Sequence, residues 1–380
     1  MQVLNVVSIL SAREGGGNAE RTMQLSRAIS AAGVGCTVLT LDIGDPHARQ
    51  PQLGDAELVV LPTLNKRYQV PRLRWKAVEA QVRKADVIHF MGYWSLLAVF
   101  VFLVARRTGV PYVVSPAGAL AIFGRSKALK QLFNLVFGRR LLRGAAGWIA
   151  VTAGELPDFE SHGIDPARVK VLPNGVVESE FEPVPGVSLP WPGMIASDSC
   201  ILFMGRLDPI KGPDLLLEAF IRIAPQFPGA TLVFAGPDGG LQASLEQRAR
   251  EAALAQRVHF AGFVSGPMKT AAYREASILV VPSRREAMSI VAVEAGVCGT
   301  AVLMTDQCGL DDVREIEPRL VVPATVEGLA SALCFALEDK ERLQAWGERW
   351  QDIVRQRYLW RDIGQRFADY LSMLARQRRT

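Results

Sequence analysis

Two glutamates stand eight positions apart in the run Pro282-Ser-Arg-Arg-Glu286-Ala-Met-Ser-Ile-Val-Ala-Val-Glu294. A carboxylate accepts hydrogen bonds from vicinal hydroxyls, the pattern that sugars and riboses present. The preceding stretch 276–281, ASILVV, reads as a buried parallel strand, and Ser289 to Val297 has helical character, so Glu286 falls on the turn between them. Glu294 then lies about two helical turns further on at ~1.5 Å per residue, placing the two carboxyl groups at opposite ends of one extended polar ligand. Taken alone, the pair also reads as two unrelated surface glutamates, the common situation for this residue type.

Fixed cations complement these acids. In Phe203-Met-Gly-Arg206-Leu-Asp208-Pro-Ile-Lys211-Gly212, Arg206 follows an apolar strand and Lys211 stands at the mouth of the next helix. Two positive charges so placed neutralise a diphosphate without a metal; a local Arg206–Asp208 pair with a solvated Lys211 is the alternative. Near the start of the chain, Arg13-Glu14-Gly15-Gly16-Gly17-Asn18 follows the first strand and opens a helix. Backbone amides and the helix dipole make such a turn an anion site, and glycine lets a phosphate approach closely. A tight turn with no ligand fits equally. The dinucleotide fingerprint requires a third glycine where Glu20 stands, so a nicotinamide or flavin is not indicated.

The elements that carry these residues are legible as apolar runs. VLNVVSIL, CTVLTL, ELVVLP, DVIHF, PYVVS, GWIAV and VKVLP alternate with helical or loop segments in the first half; CILFMG, ATLVFAG, RVHFAG, SILVVP, TAVLM and RLVVP do so in the second. This order predicts an α/β chain with two Rossmann-like, doubly wound parallel-sheet domains facing across a cleft. The length of 380 residues agrees with two domains of roughly 100 to 200 residues each. The expected division is 1–177, a proline-rich linker 178–198, and 199–357, with the amphipathic helix 358–380 returning to the first domain.

Composition narrows the function. The five cysteines and four histidines are scattered without metal-ligand spacing, and no DxD pair is present, so neither a metal nor a cofactor is implied. The first ten residues lack a secretory leader's basic flank, which points to the cytoplasm. Residues 1–180 carry 21 Lys+Arg against 14 Asp+Glu (+7), whereas residues 181–380 carry 22 against 24 (−2). Arg125, Lys127, Lys130, Arg139 and Arg140 interleave with leucine and phenylalanine, a basic amphipathic stretch suited to the inner face of an anionic plasma membrane. A core-packed helix with a solvated basic face is the alternative reading. No nucleic-acid motif accompanies the charge.

Taken together, GGxxE after strand one, Asn174-Gly175, GRLxxxKG and PSxxE(x7)E resemble, in order and spacing, the retaining glycosyltransferases of family 4, which have the GT-B fold. The resemblance covers nearly the whole chain. It implies transfer of a sugar from a UDP- or GDP-type nucleotide sugar to a saccharide acceptor, lipid-linked in bacterial surface polysaccharide assembly. Epimerase or phosphorylase chemistry on the same fold, and a non-catalytic two-lobed sugar-binding protein, are the other readings. By the same resemblance Arg206, Lys211 and Glu286 are catalytic, with Glu286 on donor-sugar hydroxyls. Gly16, Gly17, Asn174, Met288, Ser289, Ile290 and Glu294 bind the donor, Glu294 through its ribose, and residues after Glu286 add backbone amides. Ala117 and Gly118 lie on the acceptor side. Two positions depart from the family pattern: Ala117 stands where many members have histidine, and Ala287 where many have glycine.

Overall fold

The structure, a computed structural model, describes residues 1–11, 14–122, 127–187, 189 and 199–377. It divides into two compact units, Met1–Asn174 with Trp360–Thr380, and Gly175–Leu359. The first contains β1 (Gln2–Val6), β2 (Gly35–Leu41), β3 (Glu57–Leu61), a small hairpin β4 (Thr63–Asn65) and β5 (Val70–Pro71), β6 (Val87–Met91), β7 (Tyr112–Ser115), β8 (Gly147–Ala150) and β9 (Val169–Val171). The main sheet has seven strands in the order β3-β2-β1-β6-β7-β8-β9, every pair parallel. Parallel strands need crossovers, which cover both faces, so the strands are apolar without alternation. β6 and β7 are buried at every position.

One crossover helix, Leu96–Thr108, is capped by Ser95, whose side chain accepts from the Ala98 amide at 3.0 Å, and stops at Gly109 in the left-handed region (φ 71°). The C-terminal helix Trp360–Gln377 packs on the helix Gly16–Ala31 through Gly364, where an added Cβ would lie 2.6 Å from the Ala28 Cβ. Its buried stripe is Trp360, Ile363, Phe367, Leu371 and Leu374. Each such side chain contributes about 1.5–3 kcal/mol on burial, which explains why a segment so distant in sequence folds with this unit.

The second unit contains β10 (Ser199–Met204), β11 (Ala230–Ala235), β12 (Val258–Gly262), β13 (Ile278–Val281), β14 (Ala301–Thr305) and β15 (Val321–Val322), all parallel in the order β12-β11-β10-β13-β14-β15. Trp350 is fully buried and donates its indole N–H to the Ala292 carbonyl at 2.8 Å. Gly296 makes room for it, since a Cβ there would sit 2.5 Å from the indole nitrogen. Of the expected linker, residues 188 and 190–198 lie outside the described residues, and Glu178–Phe181 is a 3-10 turn of the second unit. Both sheets follow the α/β pattern of the sequence reading. The β4–β5 hairpin was not legible there; it turns on Asn65, whose Oδ1 accepts from the Tyr68 amide at 3.1 Å. Among the described residues no helix is long and apolar enough to cross a membrane.

In each sheet the strand order reverses beside the unit's first strand, between β1 and β6 and between β10 and β13. Ligands of open α/β sheets bind outside the carboxyl ends of the strands at such a switch point.

Candidate active site

The loops leaving β10 and β13 meet at the switch point of the second unit. Asp208 accepts at Oδ1 from the amides of Ile210 (2.9 Å) and Lys211 (3.0 Å), folding the Arg206–Lys211 loop into a turn. The Asp208 carboxylate thus braces backbone, and no ion pair joins it to Arg206 among the described residues. Gly212 then adopts φ 69°, and a Cβ there would lie 2.1 Å from the Pro282 carbonyl oxygen, so the two loops touch backbone to backbone. Arg284 closes the junction: its amide donates to the Ile210 carbonyl (2.8 Å) and its guanidinium to both Asp214 oxygens (2.8 and 2.6 Å).

This junction brings Lys211 Nζ to 2.6 Å from Glu286 Oε1, while Ser283 Oγ donates to Oε2 at 3.1 Å. The Glu286 amide donates to the Gln307 carbonyl at 2.8 Å, and Gly309, at φ 66°, leaves room for the Ala287 carbonyl, which a Cβ would approach to 2.0 Å. Two loops therefore contact the Glu286 carboxylate, and a third holds the backbone beneath it. The pair is not sealed off: the Lys211 and Glu286 side chains are 33% and 14% exposed. An ammonium has three donors, so Lys211 keeps capacity for an anion. Arg206 is exposed on the same loop and has no ion-pair partner among the described residues.

Glu294 projects from the helix Ile290–Val297 toward the helix Gly266–Glu275. Lys269 Nζ reaches Glu294 Oε1 at 2.8 Å and the Tyr273 hydroxyl donates to Oε2 at 2.7 Å. These two partners are four residues apart and so share a helix face. Burial, then the neighbouring carboxylate, pushes the Tyr273 phenol well above its ordinary pKa, which keeps it a protonated donor. Phe181 supports the Lys269 ammonium, its ring centroid 5.4 Å away. Each Glu294 oxygen retains a lone pair for a hydroxyl. Neither Lys269 nor Tyr273 was singled out from sequence; the i,i+4 spacing on a helix before a strand is the one available signal, and it is weak.

Between the glutamates, Met288 and Ser289 are buried and Ile290 begins the helix. The Ser289 amide donates to the Cys308 carbonyl at 3.0 Å, so this amide serves the protein's own backbone. Cys308 is packed beneath, its thiol pushed up to about 12 by burial, as befits a structural cysteine.

In the first unit, Gly16 and Gly17 open their helix just past β1 and are exposed. Asn174 is buried, and its Oδ1 accepts from Arg21 Nη1 at 2.5 Å; Arg21 also donates to the Leu172 carbonyl at 2.8 Å. Burial draws Arg21 down to about 10, and its guanidinium stacks 5.6 Å from the Phe367 ring. Asn174 therefore latches the end of the first unit. Ala117 is a non-glycine at φ 50°, followed by Gly118 at φ 79°. Glu155, unforeseen from sequence, holds that turn: its oxygens accept from the amides of Gly118 (2.8 Å) and Val151 (2.9 Å), with desolvation raising its carboxyl pKa.

The basic stretch forms helical segments Lys127–Phe133 and Arg139–Arg143, joined by a π turn at Asn134–Gly138 where Asn134 Oδ1 accepts from the Tyr93 hydroxyl at 2.8 Å. Leu141 and Leu142 are buried, whereas Leu129, Leu132, Leu135 and Val136 are exposed together with Lys127, Arg139 and Arg140; Lys130 is half-buried. Arg125 lies outside the described residues. Among the described residues no group of His, Cys, Asp and Glu is arranged to hold a metal.

Comparison with known proteins agrees with this architecture. Residues 195–352 match the family model described as glycosyl transferases group 1, and residues 16–175 match the glycosyl transferase 4-like domain. The D-inositol 3-phosphate glycosyltransferase of Kineococcus radiotolerans is 31% identical over 70% of this chain and 67% of that protein. Its counterpart from Frankia alni is 29% identical over 78% of this chain and 79% of that protein. Among solved structures, Anabaena Alr3699/HepE in complex with UDP and glucose superposes with a TM-score of 0.78 at 20% identity, covering 98% of this chain and 100% of that one. WaaG, a glycosyltransferase involved in lipopolysaccharide biosynthesis, gives 0.69 at 20% identity over 97% and 99%. With two parallel sheets of the GT-B kind and both halves of the family pattern, the chain belongs to the glycosyl transferases group 1, the family 4 glycosyltransferases.

Proposed function

We propose that this glycosyltransferase moves a hexosyl group, with retention, from a UDP- or GDP-type nucleotide diphosphate sugar to a saccharide acceptor, and that protein cations take the place of a metal on the diphosphate. The observation carrying this reading is the Lys211–Glu286 pair at 2.6 Å on the switch-point loops, with Arg206 exposed on the same loop as Lys211 and without an ion-pair partner among the described residues. Lys211 and Arg206 neutralise the diphosphate, Glu286 holds donor-sugar hydroxyls, and Glu294 accepts from the ribose. Gly16 and Gly17 offer exposed backbone at the first helix. The anomeric carbon–oxygen bond to the β-phosphate breaks as the acceptor oxygen bonds to that carbon, and the acceptor proton passes to the departing phosphate oxygen. No separate general base is then required. The Anabaena HepE complexes with UDP and UDP-glucose support the donor class by fold similarity.

For the acceptor, the exposed leucines of Lys127–Arg143 beside Lys127, Arg139 and Arg140 favour a lipid-linked saccharide at an anionic membrane surface, on the cytoplasmic side, as in surface polysaccharide assembly. The D-inositol 3-phosphate relatives favour a second reading, a small polyol phosphate acceptor.

Thermal denaturation with UDP, GDP and ADP tests the donor. A nucleotide at 100 times its Kd stabilises the folded chain by about 2.7 kcal/mol. The matching nucleotide raises Tm in the wild type and does so less in Glu294→Ala; no shift with any nucleotide would refute the donor reading. Flotation with anionic vesicles tests the membrane contact, and failure to float, with unimpaired transfer to a soluble sugar, removes it.

A further inference from the structure

The first unit contains a cavity of about 270 Å³ at the carboxyl ends of β1 and β6, the switch point of its sheet. Ser8, Glu14, Asn18, Gln69, Trp94 and Ser95 line it. The volume sits near the lower end of the roughly 300–1,000 Å³ typical of ligand pockets, suited to one sugar ring.

The walls are built with some conformational strain. Gln69 adopts φ 52°, a left-handed conformation that non-glycine residues avoid, at the end of the β4–β5 turn, where its amide donates to the Lys66 carbonyl at 3.2 Å. Gly92, at φ 87°, allows Asn18 to approach; a Cβ there would lie 3.2 Å from Asn18 Nδ2. The hydroxyls of Ser8 and Ser95 bond to each other at 2.7 Å. By contrast, the side chains of Glu14, Asn18 and Gln69 make no hydrogen bond among the described residues. One carboxylate and two carboxamides with unspent capacity surround the cavity, beside the Ser8, Ser95 and Tyr93 hydroxyls, which are already paired.

Trp94 supplies a fixed apolar wall. Its ring is held edge-on by Tyr93 (centroids 4.8 Å apart) and Phe133 (5.4 Å), and Lys130 Nζ stands 5.7 Å from its centroid without lining the cavity. Acceptors for hydroxyls beside an indole are the chemistry of a neutral sugar, whose ring C–H groups pack on an aromatic and whose hydroxyls donate. A phosphomonoester would meet the Glu14 carboxylate, and neither Lys nor Arg lines the cavity among the described residues.

We propose that this cavity is the acceptor subsite and that it takes one uncharged, hydroxyl-rich sugar ring in preference to a phosphorylated polyol. The proposal rests on the glycosyltransferase reading above and chooses between its two acceptor classes. The test titrates the full chain with methyl glucoside, methyl galactoside and methyl mannoside, and separately with glucose 6-phosphate and inositol 3-phosphate, reading tryptophan fluorescence. At least one neutral glycoside is expected to change the emission in the wild type and not in Trp94→Phe. Glu14→Gln and Asn18→Ala should weaken that glycoside about 10-fold, as loss of a hydrogen bond to a charged or polar anchor does, with UDP-induced stabilisation unchanged. The proposal is overturned if a phosphorylated ligand binds more tightly than every neutral glycoside, if no neutral glycoside binds, or if Glu14→Gln binds it as the wild type does. Failure to bind any nucleotide in the same samples would instead strike the donor reading, leaving the cavity result to stand by itself.

Discussion

Replacing Lys211 by Met separates structural from chemical roles at the switch-point loops. In the free protein the Lys211–Glu286 pair is short, 2.6 Å, but the lysine is a third exposed, so solvent screens it. Pairs of this exposure contribute about 0–1 kcal/mol to stability. Glu286 keeps the Ser283 hydroxyl at 3.1 Å and its partial hydration when the lysine is gone. For a domain of this size a loss of about 1 kcal/mol lowers Tm by roughly 2–4 °C. Against a donor the balance changes, because an ammonium about 4 Å from a phosphate charge, at an effective dielectric constant near 20, is worth roughly 4 kcal/mol. Arg206 remains to carry part of that charge, leaving about 2.7–4 kcal/mol missing from the transition state, or ~10²–10³-fold in turnover. The assay is the initial rate of nucleoside diphosphate release at saturating donor and acceptor, paired with a thermal melt of the same sample. Lys211→Arg, which keeps the charge, should recover part of the rate. Transfer by Lys211→Met within about 5-fold of wild type would sink the assignment of Lys211 to the diphosphate.

Three further outcomes follow from the geometry. Gly212→Ala forces a Cβ onto the Pro282 carbonyl from a left-handed backbone, so a loss of at least ~2 kcal/mol in urea denaturation is expected, with activity falling in step; an unchanged midpoint would contradict the loop contact. Tyr273→Phe removes the phenol that holds Glu294 at 2.7 Å, and nucleotide affinity should fall about 10-fold with little change in turnover; wild-type affinity in a titration would show that Lys269 suffices. His89 is fully buried, and burial followed by the Arg21 charge lowers its pKa from 6.5 to about 3. The unfolded chain binds that proton below pH 6.5 and the folded chain does not, so stability falls as pH drops from 6.5 toward 3. Urea midpoints should therefore decline less steeply over that window in His89→Gln than in wild type; parallel slopes would refute the buried neutral imidazole.

The strands were legible because a parallel strand covered on both faces is a continuous apolar run, and β1 and β10 announce themselves as VLNVV and CILFM. The loop residues Arg206, Lys211 and Glu286 were legible for a related reason: each follows such a run closely, so strand position alone puts it near a carboxyl end, whereas Glu294 was placed by the helix that comes next. The β4–β5 hairpin was hidden because its two- and three-residue strands carry no alternation and enclose Lys66 and Arg67.

What escaped the sequence is of one kind. Lys269 and Tyr273 hold Glu294 across 25 and 21 residues, Glu155 holds Gly118 across 37, and Arg21 latches Asn174 across 153. Periodicity reports which face of an element is buried, not which element it is buried against. The amino-acid order by itself determined two doubly wound sheets and the acids and bases at their strand ends. Only the tertiary structure decided that Lys211 pairs with Glu286, that the Ser289 amide is already engaged, and that Glu14, Asn18, Gln69 and Trp94 surround one cavity, because such contacts arise when packing brings distant loops to the same strand ends.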